Sequence, residues 1–170
     1  MPGLVFVDSN VLVYARDTRD PAKHVRAAEW MSALWRERTG RISAQVLSEC
    51  YYTLTRKLRP GMSSDEAWDE VHALTAWRPQ AIDVDVLERS REVERRYGLN
   101  WWDSLIVGAA QAQGCVMLLS EDLQDGMLLG DLTVRNPFAL SVEEMHAAYA
   151  APVATAVSRH RPRGRPKRRE

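Results

Sequence analysis

Three features of the sequence predict an α/β fold, a central parallel sheet flanked by helices. Apolar runs such as "LVFV" (4–7) and "VMLLS" (116–120) are short and unbroken, as strands buried on both faces of a parallel sheet are. Segments of helical spacing separate these runs, the alternation of strand–helix–strand units. The 170 residues, 45% of them hydrophobic, suit one domain with a real core.

The elements follow in order. "LVFV" is the first strand and ends at Asp8. In "DPAKHVRAAEWMSALWRERTG", Val25, Ala28, Trp30, Met31, Leu34 and Trp35 recur near helical spacing. Asp20 is the candidate N-cap before Pro21, and Gly40 the stop. "RISA" reads as a brief strand, and a further helix runs from about Gln45 through "VLSECYYTLTRKL" to Pro60-Gly61. Another opens at "SSDE", where Ser63 and Glu66 have capping-box spacing, and ends near Trp77 ahead of Pro79. "AIDVD" has the alternation of another short strand, and the charged helix "VLERSREVERRYG" closes on Gly98. The helix "WWDSLIVGAAQAQGC" is stopped by Gly114 and followed by the strand "VMLLS" and the polar cluster "EDLQDG". A last strand near "LTV" and a helix opened by "SVEE", with a capping box through Ser141 and Glu144, complete the body.

The formal net charge of zero hides an asymmetry. The last twelve residues, "RHRPRGRPKRRE", hold seven of the 23 Lys and Arg and one of the 23 acids, so this tail is +6 and the rest of the chain −6. Body and tail therefore invite different partners. Cys50 and Cys115 stand in apolar contexts without metal-ligand spacing, which predicts two buried thiols in a reducing cytoplasm rather than a disulfide or zinc site. "MPGLVFVD" has no basic leader, and no apolar segment approaches the length of a membrane span.

The acids carry the chemistry. Asp8 ends the first strand and Asp122 lies two residues past "VMLLS", at strand carboxyl ends, where open parallel sheets bind ligands. Asp103 falls in the first turn of its helix, where the dipole favours a carboxylate. Glu49 interrupts a helical face whose Val46, Cys50 and Leu54 point inward, so it needs a cation, a hydrogen-bond partner or water. Taken singly, Asp8 reads as a turn residue, Asp103 as a helix start and Glu49 as a paired or exposed helix residue. Taken together, four carboxylates beside apolar segments would crowd one sheet edge, and a hard divalent cation is the usual resolution of such crowding.

"FVDSNVLVYA", the isolated Glu49 in "LSECYYTLTRKL", "WWDSLIVGAAQAQGC" and "LLSEDLQDG" resemble, in order, the four acidic landmarks of PIN-domain ribonucleases, and "RNPF" near the end also fits. Within that family the chain is most similar to the VapC-type toxins of bacterial toxin–antitoxin pairs. The resemblance implies a three-layer PIN-like fold over residues 1–150 and a magnesium- or manganese-dependent endoribonuclease that cuts single-stranded segments of structured RNA. It also implies a cognate antitoxin, seated in a groove formed by the first helices, and a homodimer.

Carried over residue by residue, the resemblance makes Asp8 a direct metal ligand, oriented by Asn10. Glu49 and Asp103 would complete the cluster directly or through bound water. The fourth position has two candidates in "SEDLQDG". Asp122 is favoured because it lies nearer the strand end, with Ser120 as a hydroxyl that holds it or a phosphate. Asp125 is expected to brace the turn, and the aromatic that usually follows the later acid is here Gly126.

Residues 151–170 form a basic tail in which "PRGRPKR" resembles the AT-hook, an Arg-Gly-Arg core that enters the narrow minor groove of AT-rich DNA. Arg163, Arg165 and Lys167 are its candidate nucleic-acid contacts. The plainer alternative is a polycation with affinity for any nucleic acid. Trp30, Trp35, Tyr51, Tyr52, Trp68 and Trp77 fall on predicted helices, where core packing explains most of them.

Two other functions compete. A haloacid-dehalogenase-like phosphohydrolase would use Asp8 as nucleophile, but wants an acid where Asn10 stands and a lysine that the body offers only at Lys23 and Lys57. A non-enzymatic nucleic-acid-binding protein would act through the tail, its acids being structural.

Overall fold

The computed structural model describes residues 3–150. The tail, with Arg163, Arg165 and Lys167, lies outside the described residues.

Strand β1 (Val5–Val7) leads into helix α1 (Ser9–Tyr14) and then α2 (Pro21–Glu37). Strand β2 (Gly40–Arg41) precedes α3 (Ala44–Tyr52), whose end widens into a π-helical turn over Thr53–Lys57. Helix α4 (Ser64–Ala73) tightens into a 3-10 turn at Leu74–Trp77 and is followed by α5 (Val84–Tyr97) and α6 (Trp101–Ala112). Strands β3 (Met117–Leu119), β4 (Leu128–Leu129) and β5 (Leu132–Arg135) and helix α7 (Val142–Ala150) complete the order. The sheet runs β2-β1-β3-β5-β4, and all its neighbours are parallel except the β4–β5 hairpin. Every residue of β1 and β3 is buried. Because successive strand residues point to opposite faces, both faces of the sheet are covered, as the short apolar runs require.

The helix starts are set by side chains named in the sequence. Asp20 accepts from Lys23 N at 3.1 Å ahead of Pro21. Ser63 with Glu66 and Ser141 with Glu144 form reciprocal bonds across the first turns of α4 and α7. Gly98 closes α5 in the left-handed region, with φ 68°. Cys50 and Cys115 are buried free thiols, and burial pushes both up to about 12.

The structure corrects four expectations and adds one element. "AIDVD" is not a strand: only Gln80 bridges to Ser43, and Asp83 accepts from Val86 N to cap α5. Gly40 does not stop α2, which ends at Arg38 with φ 59°. It lies in β2 instead, where an added Cβ would stand 2.7 Å from the Trp77 indole, so glycine is needed for close approach. The segment after Asp8, which the sequence reading leaves unassigned, continues as α1. The third helix stops being α-helical at Tyr52, where the π turn inserts one extra residue per turn. On α2, Val25 and Trp35 are exposed rather than core, although Trp35 leans on Trp77 with ring centroids 5.2 Å apart.

Candidate active site

Parallel pairing brings Asp8 and Ser120 together. Val7 pairs with Leu119, so the next residue of each strand emerges at the same edge, and Asp8 N donates to Leu119 O at 3.0 Å. Asp8 is 6% exposed and caps α1. Its Oδ1 accepts from Ser9 N at 2.7 Å, while its Oδ2 accepts from Ser120 Oγ at 2.7 Å and Asn10 Nδ2 at 3.2 Å. Burial pushes its carboxyl up to about 6 despite the Ser120 and Ser9 bonds, and the charges of Asp122 and Glu49 push the same way.

Two helices bring further acids to this edge. Ser43, just past β2, caps α3 through Val46 N, and Glu49 follows on that helix. Glu49 is half-buried; its Oε2 accepts from Ser9 Oγ at 3.0 Å and its Oε1 from Gln45 Nε2 at 2.9 Å. Helix α6 begins at Asn100, whose Oδ1 accepts from Asp103 N at 2.9 Å while its Nδ2 donates to Asp103 Oδ2. Partial burial raises the Asp103 carboxyl, the Asn100 bond pulls it back, and the charges of Asp122 and Glu49 add to the rise. Gln45 Nε2 also reaches Trp102 O at 3.4 Å, which links α3 to the first turn of α6.

Asp122 completes the group from the exposed loop after β3. Its Oδ2 accepts from Asn10 Nδ2 at 3.0 Å and its N–H donates to Ser120 Oγ at 3.2 Å. Ser120 therefore holds the Asp122 backbone while giving its own proton to Asp8, and Asn10 spans Asp8 and Asp122. Asp125 is engaged elsewhere: it accepts from Asn136 N at 2.8 Å and Arg135 Nε at 3.0 Å, and these bonds hold its carboxyl below the usual range.

Ser9, Gln45 and Asn100 are supports that the sequence reading passes over. Each had a signal: Ser9 sits inside D-S-N, Gln45 is one helical turn before Glu49, and Asn100 is an N-cap type three residues before Asp103.

The donor set suits a hard divalent cation by its chemistry. Among the described residues, none of Asp8, Glu49, Asp103 and Asp122 forms an ion pair with Lys, Arg or His. Neutral donors hold them instead, so their charges are oriented without being cancelled, and carboxylate oxygen is the donor magnesium or manganese takes. In the rotamers present, no three His, Cys, Asp or Glu side chains among the described residues converge closely enough to hold an ion. Joint ligation therefore requires side-chain rotation, which exposed Asp122 and partly exposed Asp103 can make without disturbing the core. The lysines that a phosphoenzyme would want are engaged elsewhere: Lys23 bonds Glu121 and Tyr14, and Lys57 lies over the Tyr52 ring.

A model of the PIN domain matches residues 5–124, a span that includes all four acids and stops short of Asp125. The chain belongs to the PIN-domain family. Solved structures share the fold of this PIN domain. A toxin–antitoxin complex from Klebsiella pneumoniae matches at 19% identity and TM-score 0.59, covering 78% of this chain and 97% of that one. VapC20 of Mycobacterium tuberculosis, described as a sarcin–ricin-loop-cleaving toxin, matches at 22% identity and TM-score 0.54 over 69% and 91% of the two chains. VapBC2 from Rickettsia felis, bound to a DNA fragment from its promoter, matches at 16% identity and TM-score 0.53 over 78% and 98%. A comparison with curated proteins finds no match. No helix among the described residues is long and apolar enough to cross a membrane.

Proposed function

We propose that this PIN domain is a divalent-metal-dependent endoribonuclease, the toxin of a VapBC-type pair, acting in the cytoplasm. The observation that carries the reading is the buried carboxylate of Asp8 under the charge of Glu49 and Asp122, at a strand edge where neutral side chains alone hold the acids. Asp8, Glu49, Asp103 and Asp122 would hold Mg2+ or Mn2+, which when bound supplies water activation and charge stabilisation at phosphorus. Asn10 and Ser120 keep Asp8 and the Asp122 loop in register. Ser9 and Gln45 aim Glu49, and Asn100 aims Asp103. Asp125 braces the turn.

The partners follow from the same reading. RNA is the substrate. The Klebsiella and Rickettsia matches come from a toxin–antitoxin complex and a VapBC structure, which supports a cognate antitoxin here. A homodimer is the expected assembly. The domain occupies 1–150, and the basic tail 151–170 adds phosphate affinity through Arg163, Arg165 and Lys167, with AT-rich DNA as a second contact.

The test is cleavage of RNA by the purified chain with Mg2+, with Mn2+ and with EDTA. Cleavage is expected only with metal, and Asp8→Asn, Glu49→Gln and Asp103→Asn should each abolish it while circular dichroism stays unchanged. Cleavage that survives EDTA, or inactivity accompanied by unfolding in all three variants, overturns the reading.

A further inference from the structure

The two tryptophans that open α6 have opposite fates. Trp101 is half-buried and packs against the core, whereas Trp102 is 66% exposed although it stands next to Asp103. A bare indole forgoes the burial that dominates aromatic energetics, and a single exposed aromatic alone means little. Its setting distinguishes it. The Asn100 cap fixes the first turn of α6, and Gln45 Nε2 grips the Trp102 carbonyl with the same amide nitrogen that holds Glu49. Oε1 of Gln45 is buried without a donor. Along α3, Gln45, Glu49 and Tyr52 follow at i, i+4 and i+7 on one face, and Tyr52 is 57% exposed. Trp102 and Tyr52 thus stand on the two helices that carry Asp103 and Glu49, as aromatic surface that the core does not use.

We propose that Trp102 is a stacking platform for an unpaired base of the RNA substrate, holding the strand beside the acid cluster. This rests on the nuclease reading for its substrate class. Sequence-tolerant recognition of single strands works this way, because every base has a π-face and an indole stacks on any of them. The flat, exposed ring needs no rearrangement to accept one. Stacking acts in the ground state as well as during cleavage, so its loss should raise KM and leave kcat nearly unchanged.

The experiment uses the full chain and has two arms. In the first, cleavage of a short single-stranded RNA is measured for the wild type, Trp102→Phe, Trp102→Ala and Trp68→Ala. Trp68 on α4 is the control, similarly exposed at 58% but in edge contact with Tyr51 of α3 and near His72 of its own helix. Trp102→Ala should raise KM roughly five- to a hundredfold with kcat within about twofold, Trp102→Phe should fall between, and Trp68→Ala should match the wild type. The second arm needs no turnover: in a Glu49→Gln background, oligoadenylate RNA is titrated against an abasic RNA backbone of the same length. The basic tail binds both through phosphate, so the preference for oligoadenylate reports stacking, and it should vanish with Trp102→Ala. Unchanged KM together with an unchanged preference overturns the proposal, as do equal losses in Trp68→Ala. A Trp102-dependent preference in a chain that never cleaves RNA would sink the nuclease reading and leave the platform standing.

Discussion

The Ser9 hydroxyl donates to Glu49 Oε2 at 3.0 Å, a contact between residues 40 apart that ties the start of α1 to the middle of α3. The Ser9 backbone N–H meanwhile donates to Asp8. One residue therefore sets the spacing of two carboxylates that repel each other.

Ser9→Ala should disturb that spacing without unfolding the domain, because Asp8 and not Ser9 caps α1. Loss of one partly buried hydrogen bond to a charged acceptor should cost about 1.5 to 3 kcal/mol. Mn2+ affinity, followed by isothermal titration, should fall roughly tenfold or more, as loss of a support behind a metal ligand usually shows. Unchanged affinity would mean that Glu49 is not positioned through Ser9.

Asp8 makes the metal-free protein pH-sensitive. Its carboxyl is raised from 3.8 to about 6, so the folded state binds the proton more tightly than the unfolded chain. The sign follows: stability is greatest below about 3.8 as far as this group is concerned, falls as pH rises towards 6, and then levels, a loss of about 3 kcal/mol. In EDTA, Asp8→Asn should remove this fall and melt at or above the wild type near pH 7. Asn10 can turn its unpartnered Oδ1 to the new amide. Magnesium should offset the fall in the wild type by engaging the ionised form. A melting-temperature slope between pH 4 and 6 that persists in Asp8→Asn would place its origin elsewhere.

Asp8 and Asp103 were legible in the sequence because strand ends and helix starts leave strong local marks. Asn10 and Ser120 were legible in the same blocks, but the Ser9–Glu49 and Gln45–Trp102 contacts were not, since they join segments that no local pattern links. The "AIDVD" error has a different origin. Ile82, Val84 and Val86 alternate with acids as an exposed strand would, yet Asp83 can also cap a helix, and α5 packs extensively on α6. Tertiary packing decided between two readings that the local sequence supported equally. Helix α1 is hidden by its β-branched, apolar composition, which continues the look of β1.

Asp122 and Asp125 should separate cleanly. Asp122→Asn should weaken Mg2+ affinity tenfold or more and leave the melting temperature nearly unchanged, because its side chain is exposed and held by Asn10 alone. Asp125→Asn should do the reverse, loosening the Arg135 and Asn136 contacts while sparing metal affinity. Its stabilising charge is present above the ordinary carboxylate range and lost as pH falls through the lowered value, so the variant's deficit should shrink in acid. Equal effects of the two substitutions in a magnesium titration would show that the wrong acid was chosen.

Asp103 shares its helix with a glycine that lets α6 pack closely on α5. Gly108 lies where α6 crosses α5, and a Cβ there would stand 2.3 Å from Ser90 Oγ and 3.1 Å from both Ser90 N and Val86 O. Ser90 Oγ donates to Val86 O at 2.6 Å and is fully buried, so it cannot swing into solvent. Gly108→Ala should therefore push the helices apart, at a cost of roughly 1 to 3 kcal/mol, although alanine is the better helix former. Adding Ser90→Ala removes the oxygen that clashes worst but leaves the two backbone contacts, so it should restore only part of the lost melting temperature. The same series reads out at the site. If α6 moves as a rigid rod, metal affinity in Gly108→Ala should fall and recover in step with stability. Should stability fall while metal affinity holds, the displacement is absorbed by α5, and Asp103 is fixed by its Asn100 cap rather than by the packing of its helix.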